Sequence, residues 1–325
     1  MFNKYKDIIC ACLIIKNEEN NLERCLISLN KYFSQIIVID TGSEDTSPQI
    51  ALKYGVELYF NKWNNNFSSA RNIALSYARK PWILSIDADE YLTDFNIDLH
   101  LLNDNKIGGF NLELINFLDS ELKTFSKHRY TRLFRNNKNI FFKGSVHEQI
   151  RDSIELQNLK IIDLNINIFH TGYINTSTEK KERNRLLLEN EFNNKSDDWN
   201  TYYLADTEFS LGNLNKSEEL FLKILNSKIL NNQQNDLIKI RLSQIYLQSD
   251  NKNRFDKIEN ILFFNCSSSD EEGLRMFILA ASYLEQEKYL KAKELYNNKI
   301  LINSGLVDKN IIEKALKIIN SKLNG

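Results

Sequence analysis

A bias of charge is what this chain most plainly lacks: 42 Lys and Arg stand against 43 Asp and Glu, a net of -1. With no global positive field to draw it to a phosphate backbone, a nucleic-acid binder is disfavoured. It also lacks any apolar run near the ~18 residues that cross a bilayer, so no transmembrane segment is expected. The stretch Ile8 to Ile15 holds two cysteines and passes into Lys16-Asn17-Glu18-Glu19 with no small-residue cleavage site. That pattern predicts a core strand rather than a signal peptide, and a cytoplasmic location. Cysteine is scarce: Cys10, Cys12, Cys25 and Cys266 have no His or Cys partners at zinc-site spacing and read as free thiols. Neither G-x-x-x-x-G-K-[ST] nor G-x-G-x-x-G occurs, which argues against P-loop and dinucleotide chemistry.

What is present is the composition of a soluble globular protein, 42% hydrophobic and 26% charged, in 325 residues that suit one large or two ordinary domains. From Asp7 to about Asp89 apolar runs alternate with helical spacing. Strands are predicted at Ile8 to Ile15, Gln35 to Asp40, Val56 to Phe60 and Pro81 to Ile86. Helices are predicted at Asn20 to Tyr32, Ser47 to Tyr54 with Pro48 in the first turn, and Ser69 to Ala78. Such alternation implies right-handed βαβ units around a parallel sheet, whose ligands bind beyond the carboxyl ends of the strands. Lys16-Asn17-Glu18, Asp40-Thr41-Gly42-Ser43 and Asp87-Ala88-Asp89 all fall at those ends.

Between Gly108 and Gly172 the texture changes to strands at Gly109 to Phe117, Arg129 to Phe134 and Leu159 to Phe169, expected to form a smaller mixed sheet. After Tyr173 come charged amphipathic helices with almost no Gly or Pro. There Leu204-Ala205 and Ser217-Glu218-Glu219-Leu220-Phe221 echo Leu279-Ala280 and Ala292-Lys293-Glu294-Leu295-Tyr296 at an offset of 75 residues. That is about twice a helix-pair unit of ~34 to 40, with Tyr246 to Ile261 as the copy between. An unrelated helical bundle is the alternative.

The acidic segment carries the chemistry. Trp82-Ile83-Leu84 drives into Ser85-Ile86-Asp87-Ala88-Asp89-Glu90, and two aspartates flanking a small residue at a strand end can place one on a divalent cation and the other beside what that cation holds. Mg²⁺ and Mn²⁺ bind through one or two carboxylates plus substrate phosphates. A strand ending in an ordinary acidic loop is the alternative, and D-x-D alone does not decide.

In order along the chain, Cys12-Leu13-Ile14-Ile15-Lys16-Asn17-Glu18-Glu19, Ile37-Val38-Ile39-Asp40-Thr41-Gly42-Ser43, Phe67-Ser68-Ser69-Ala70-Arg71-Asn72 and Asp87-Ala88-Asp89-Glu90 are followed by Arg132-Leu133-Phe134-Arg135, Gly144-Ser145-Val146-His147-Glu148 and His170-Thr171-Gly172-Tyr173. Over roughly residues 7 to 175 this resembles a family 2 glycosyltransferase, in a subgroup fused to tetratricopeptide-like helices that includes bacteriocin S-glycosyltransferases and some flagellin glycosyltransferases. The resemblance implies an α/β GT-A domain, Rossmann-like with a mostly parallel mixed sheet, over 1–175. An all-α tetratricopeptide-like domain would fill 176–325.

It also implies a UDP-sugar donor and Mn²⁺ or Mg²⁺. Asp40 would contact uridine, or else cap its own turn; Arg71 would reach uracil or phosphate, or else pair with Asp87. Asp87 would meet the ribose or a metal-bound water, with Glu18 also on the nucleotide. Asp89 would ligate the metal and His170 complete its shell, unless His170 is structural. Glu148 is the expected base, oriented by His147, with His147 and Glu90 as rivals. The acceptor is expected to be a polypeptide side chain docked by the helices, which could instead hold a second subunit. A cell-envelope glycan acceptor and a non-catalytic scaffold with a decayed transferase domain are the competing readings.

Overall fold

In a computed structural model, which describes residues 4–172, 178–194 and 197–324, the chain forms two compact units. One contains Met1–Leu118 and Lys127–Asn175, the other Asp119–Ser126 and Thr176–Gly325. Tyr173 and the expected 175/176 boundary lie outside the described residues.

The first unit opens as β1 (Ile9–Ile15), α1 (Leu22–Asn30), β2 (Gln35–Asp40), α2 (Ser47–Lys53), β3 (Glu57–Phe60), α3 (Phe67–Tyr77) and β4 (Trp82–Ser85). These four strands are parallel, in the order β3-β2-β1-β4. Their apolar runs are continuous because both faces are covered. Ile9, Ala11, Leu13 and Val38 enter one core, while Cys10, Cys12, Ile37 and Ile39 enter the other. Helix α1 buries Leu22, Cys25, Leu26 and Leu29, the positions that its spacing selects. Asn66 caps α3 by accepting the Ser69 amide at 2.8 Å.

The remaining elements of this unit are β5 (Glu90–Leu92), α4 (Leu99–Asn103), β6 (Ile107–Phe117), β7 (Phe125–Arg135), α5 (Arg151–Glu155) and β8 (Lys160–His170). A smaller mixed sheet was expected from these strands. Instead β7 pairs antiparallel with β4, which extends a single eight-stranded sheet ordered β3-β2-β1-β4-β7-β6-β8-β5. The three-residue strand β5, at the edge, carries no period of its own that sequence could expose.

Helices α6 (Thr178–Asn194) to α14 (Lys309–Asn324) make the second unit. Three helix-turn-helix pairs stand out: α7 (Asp198–Ser210) with α8 (Leu214–Lys223), α9 (Asn232–Leu247) with α10 (Arg254–Ile261), and α11 (Ser269–Glu285) with α12 (Tyr289–Tyr296). Their first helices begin at residues 198, 232 and 269, steps of 34 and 37, the repeat length of a tetratricopeptide-like array. The expected middle copy is the end of α9 together with α10. Cys10, Cys12, Cys25 and Cys266 are free thiols. No helix among the described residues is long and apolar enough to cross a membrane.

Candidate active site

The loops after β1 and β2 are laced together at the strand ends. Asn17 donates its amide to Ser43 Oγ at 3.0 Å and accepts the Glu44 amide at 2.8 Å, while the Glu18 amide donates to Ser47 Oγ at 2.7 Å. Glu18 turns its own carboxylate back to Asn21 at 3.0 Å. Asp40, ending β2, is 1% exposed. Its Oδ1 accepts the amides of Gly42 and Ser43 at 2.9 and 2.8 Å, the expected turn cap, but its Oδ2 is buried with no hydrogen-bond partner. A buried carboxylate oxygen without a donor is costly. The cap therefore uses one oxygen of Asp40 and leaves the other without a donor.

Beyond β4, Asp87 and Glu90 tie their turn reciprocally. The Glu90 amide donates to Asp87 O at 3.1 Å and the Asp87 amide to Glu90 Oε2 at 2.9 Å. Arg71 of α3 reaches in from one side. Its Nη2 donates to Asp87 Oδ1 at 2.7 Å, its Nη1 to Ser85 Oγ at 3.2 Å and its Nε to Glu148. Every guanidinium nitrogen thus has a protein acceptor, and the residue is 8% exposed. The fork joins Asp87 to Glu148, and the bond to Asp87 is the pairing expected as the alternative to a nucleotide contact.

Arg132 of β7 reaches in from the other side, donating from Nη2 to Glu90 Oε1 at 2.6 Å and to Asp87 Oδ2 at 3.3 Å. Burial alone would push the Asp87 carboxyl up, but Arg71 and Arg132 together hold it well below the usual carboxylate range. Glu90 has only a share of Arg132, so burial wins there and pushes its carboxyl up to about 7. Both Glu90 oxygens are engaged and the residue is 1% exposed, so it serves the turn and cannot meet an acceptor hydroxyl or thiol.

Asp89 and His170 converge, Oδ2 to Nε2 at 3.3 Å, and His170 Nδ1 lies 2.7 Å from Asn116 Oδ1. Burial would lower the imidazole, but its bond to Asp89 and the nearby carboxylates raise it. Gly172 leaves the space over this pair open: a Cβ there would stand 2.0 Å from Asp89 Oδ2 and 2.5 Å from His170 Nε2. Only a residue without a side chain keeps that cradle. Among the described residues no three His, Cys, Asp or Glu side chains group to hold a cation alone. A two-ligand cradle open to substrate oxygens fits a divalent cation that keeps phosphate and water ligands, and an imidazole member favours Mn²⁺.

His147 and Glu148 sit on the loop closed by the Lys143 and Gln149 backbone bridge. The N-terminus of α3 clamps it, with Ser68 Oγ donating to Gly144 O at 2.6 Å and the Phe67 amide to Ser145 O at 2.9 Å. His147 takes a left-handed φ of 53°. Its neighbour Glu148 faces inward to Arg71.

Sequence reasoning gave no role to Arg132, though it stands in the quoted Arg-Leu-Phe-Arg run, or to Asn116. Strand β7 carries Lys127, Arg129, Arg132 and Arg135, and β6 both Asn111 and Asn116, so no local signal singled out Arg132 or Asn116. The steric reason for Gly172 had no sequence signal.

Residues 10–152 match Glycosyl transferase family 2. A TPR repeat-containing protein of Synechococcus elongatus is 34% identical over 150 residues, covering 45% of this chain and 36% of that one. The SPbeta prophage-derived glycosyltransferase SunS of Bacillus subtilis is 30% identical over 183 residues, covering 55% and 42%. The chain thus spans less than half the length of these two relatives. Among solved structures, S. aureus TarS 1-349 in complex with UDP aligns over 90% of this chain and 92% of that one at 15% identity and a TM-score of 0.41. Asp40, Asp87, Asp89, Arg71 and Glu148 all lie within the matched residues, while His170 lies beyond them.

Proposed function

We propose that this protein transfers a hexose or N-acetylhexosamine from a UDP-sugar to a polypeptide side chain, Ser/Thr or Cys, by an inverting, divalent-metal-dependent displacement. The observation that carries the donor half is Asp40 Oδ2, a buried acceptor without a donor at the sheet's ligand-binding edge. The imide N–H of uracil supplies that donor, where cytosine has a bare ring nitrogen that only accepts. Asp87, held ionised by two guanidinium groups, accepts from ribose hydroxyls. Asp89 and His170 hold the cation, which when bound neutralises the leaving diphosphate. Glu148, on the clamped loop, takes the acceptor proton through the oxygen that Arg71 does not use, and His147 lines the same loop.

The acceptor half rests on the helical pairs, since stacked helix-turn-helix repeats build extended surfaces that hold peptides. Of the aromatic residues of α7, Tyr202 is buried beside Phe221, whereas Trp199, Tyr203 and Phe209 keep part of their surface for such a contact.

Calorimetric titration with UDP and CDP in the presence of MnCl₂ tests the donor reading. Asp40→Asn keeps an oxygen for the turn amides but offers an N–H where uracil needs an acceptor. UDP affinity should fall ~10- to 100-fold, the scale of a hydrogen bond to a charged group. Equal UDP affinity in wild type and variant would sink the uridine assignment.

A further inference from the structure

Three neighbouring strands bring Asn116, His170 and Glu90 into one row. Asn116 of β6 stands opposite His170 of the parallel β8, and His170 opposite Glu90 of the antiparallel β5. A regular ladder would not produce that row. Asn111 pairs with Asp163, so an unbroken register sets Asn116, five residues on, opposite Ile168. An irregularity between Asn111 and Glu113 advances β8 by two residues and brings His170 into line instead. A shift of two changes the partner without turning its side chain to the other face. Asn116 is 3% exposed, a lone amide after the apolar Leu114 and Ile115, and an amide buried there is costly unless bonded. Its Oδ1 lies 2.7 Å from His170 Nδ1.

We infer that Asn116 is the positioning residue for His170, fixing the imidazole tautomer that presents the Nε2 lone pair to a divalent cation shared with Asp89. The inference rests on the reading of Asp89 and His170 as cation ligands. A carbonyl oxygen only accepts, so the ring nitrogen facing it carries the hydrogen. Nε2 faces Asp89 Oδ2 across 3.3 Å, and with Nδ1 holding its hydrogen on Asn116, it is Nε2 that gives up its hydrogen and offers a lone pair when a cation binds between them. Histidines that bind metals ordinarily give their second N–H to such an acceptor, and loss of that acceptor weakens metal binding by about 10- to 100-fold.

The test uses the full chain, with Mn²⁺ binding followed by electron paramagnetic resonance and long-range ¹H–¹⁵N spectra of the metal-free protein at alkaline pH. The wild type should bind Mn²⁺ and show the hydrogen on His170 Nδ1. Asn116→Leu, similar in volume but without an acceptor, should bind Mn²⁺ ~10- to 100-fold more weakly. Asn116→Asp, which keeps the acceptor, should recover most of the affinity. If the wild type itself binds no Mn²⁺, the ligand reading fails and the positioning role with it. If the wild type binds while a folded Asn116→Leu binds equally well, the positioning role alone is overturned. Should Asn116→Leu not fold, the wild-type spectrum decides, because a hydrogen on Nε2 refutes the tautomer argument by itself.

Discussion

Arg71 holds two carboxylates with opposite duties. In the proposed function Asp87 would stay ionised beside the donor and Glu148 would accept a proton from the acceptor, yet one guanidinium binds both. Because the second Glu148 oxygen remains for catalysis, Glu148→Gln should bind UDP and Mn²⁺ as the wild type does. Transfer should fall by ~10²-fold or more, the scale of lost base catalysis. Near-normal turnover moves the role to His147. Weakened donor binding would instead show that Glu148 acts by holding Arg71 on Asp87. Asp40, Asp87 and Asp89 were legible as residues because βαβ alternation sets strand ends at predictable places. For Arg71 the pairing with Asp87 was among the expectations, but the bond to Glu148, 77 residues on, was not, because spacing says nothing of which distant acceptors fill its fork. Asn116 was missed because its partnership with His170 is created by a register irregularity, which no local pattern encodes.

Among the elements, the helical pairs show why their period was faint in the sequence. The α7 to α8 turn passes through Gly212 at φ +83°, the left-handed conformation that glycine adopts without strain. Seventy-five residues on, the α11 to α12 turn passes through Glu287 at φ +59°. The backbone repeats while the residue type does not, so the glycine signature vanished and the fold survived. A side chain in that conformation costs about 1–2 kcal/mol, part of which glycine returns through its freer unfolded state. Glu287→Gly should therefore stabilise the helical unit by about 0.5–1 kcal/mol, read as a higher urea midpoint with unchanged slope. A lower midpoint would refute the strain. Another element-level test lies in the first turn of α11, where Glu271 is buried and its Oε2 has no partner. Burial raises its carboxyl, outweighing the Gln233 bond at 2.6 Å. The folded state then holds the proton more tightly than the unfolded chain, whose glutamates titrate near 4.3. Stability contributed by this group is full below that pH and falls as pH rises through the interval above it. Glu271→Gln should flatten that part of the stability-pH profile and gain about 1 kcal/mol at pH 7. A profile that keeps its slope locates the titration elsewhere.

At the scale of the whole molecule, the chain does not divide at one point. It leaves the first unit after Leu118, spends Asp119–Ser126 in the second, and returns at Lys127. A single cut near 175 describes most of the sequence and misses this excursion. Its cause is a contact about 180 residues away in sequence, beyond the reach of periodicity. Asp119 first knots the segment locally, accepting the Glu121, Lys123 and Thr124 amides at 2.8, 3.1 and 2.5 Å; its carboxyl is held down at about 2, chiefly by the Thr124 hydroxyl. Phe125 then donates its amide to Gly305 O at 2.6 Å, and Gly305 is anchored in turn through its own amide to Asp270 at 2.8 Å. No side chain fits at Gly305, where a Cβ would stand 2.7 Å from the Phe125 ring and 2.8 Å from its carbonyl oxygen. Truncating the helices therefore strips Phe125 of its partner within the second unit. Gly305→Ala is the sharper probe of that link. It should cost about 1–3 kcal/mol, the usual range for overpacking, and speed amide hydrogen exchange across residues 119–126 while leaving β1 and β2 protected. Unchanged exchange in that segment would mean that Asp119 alone holds it, and the excursion would then be a local knot with no dependence on the helical unit.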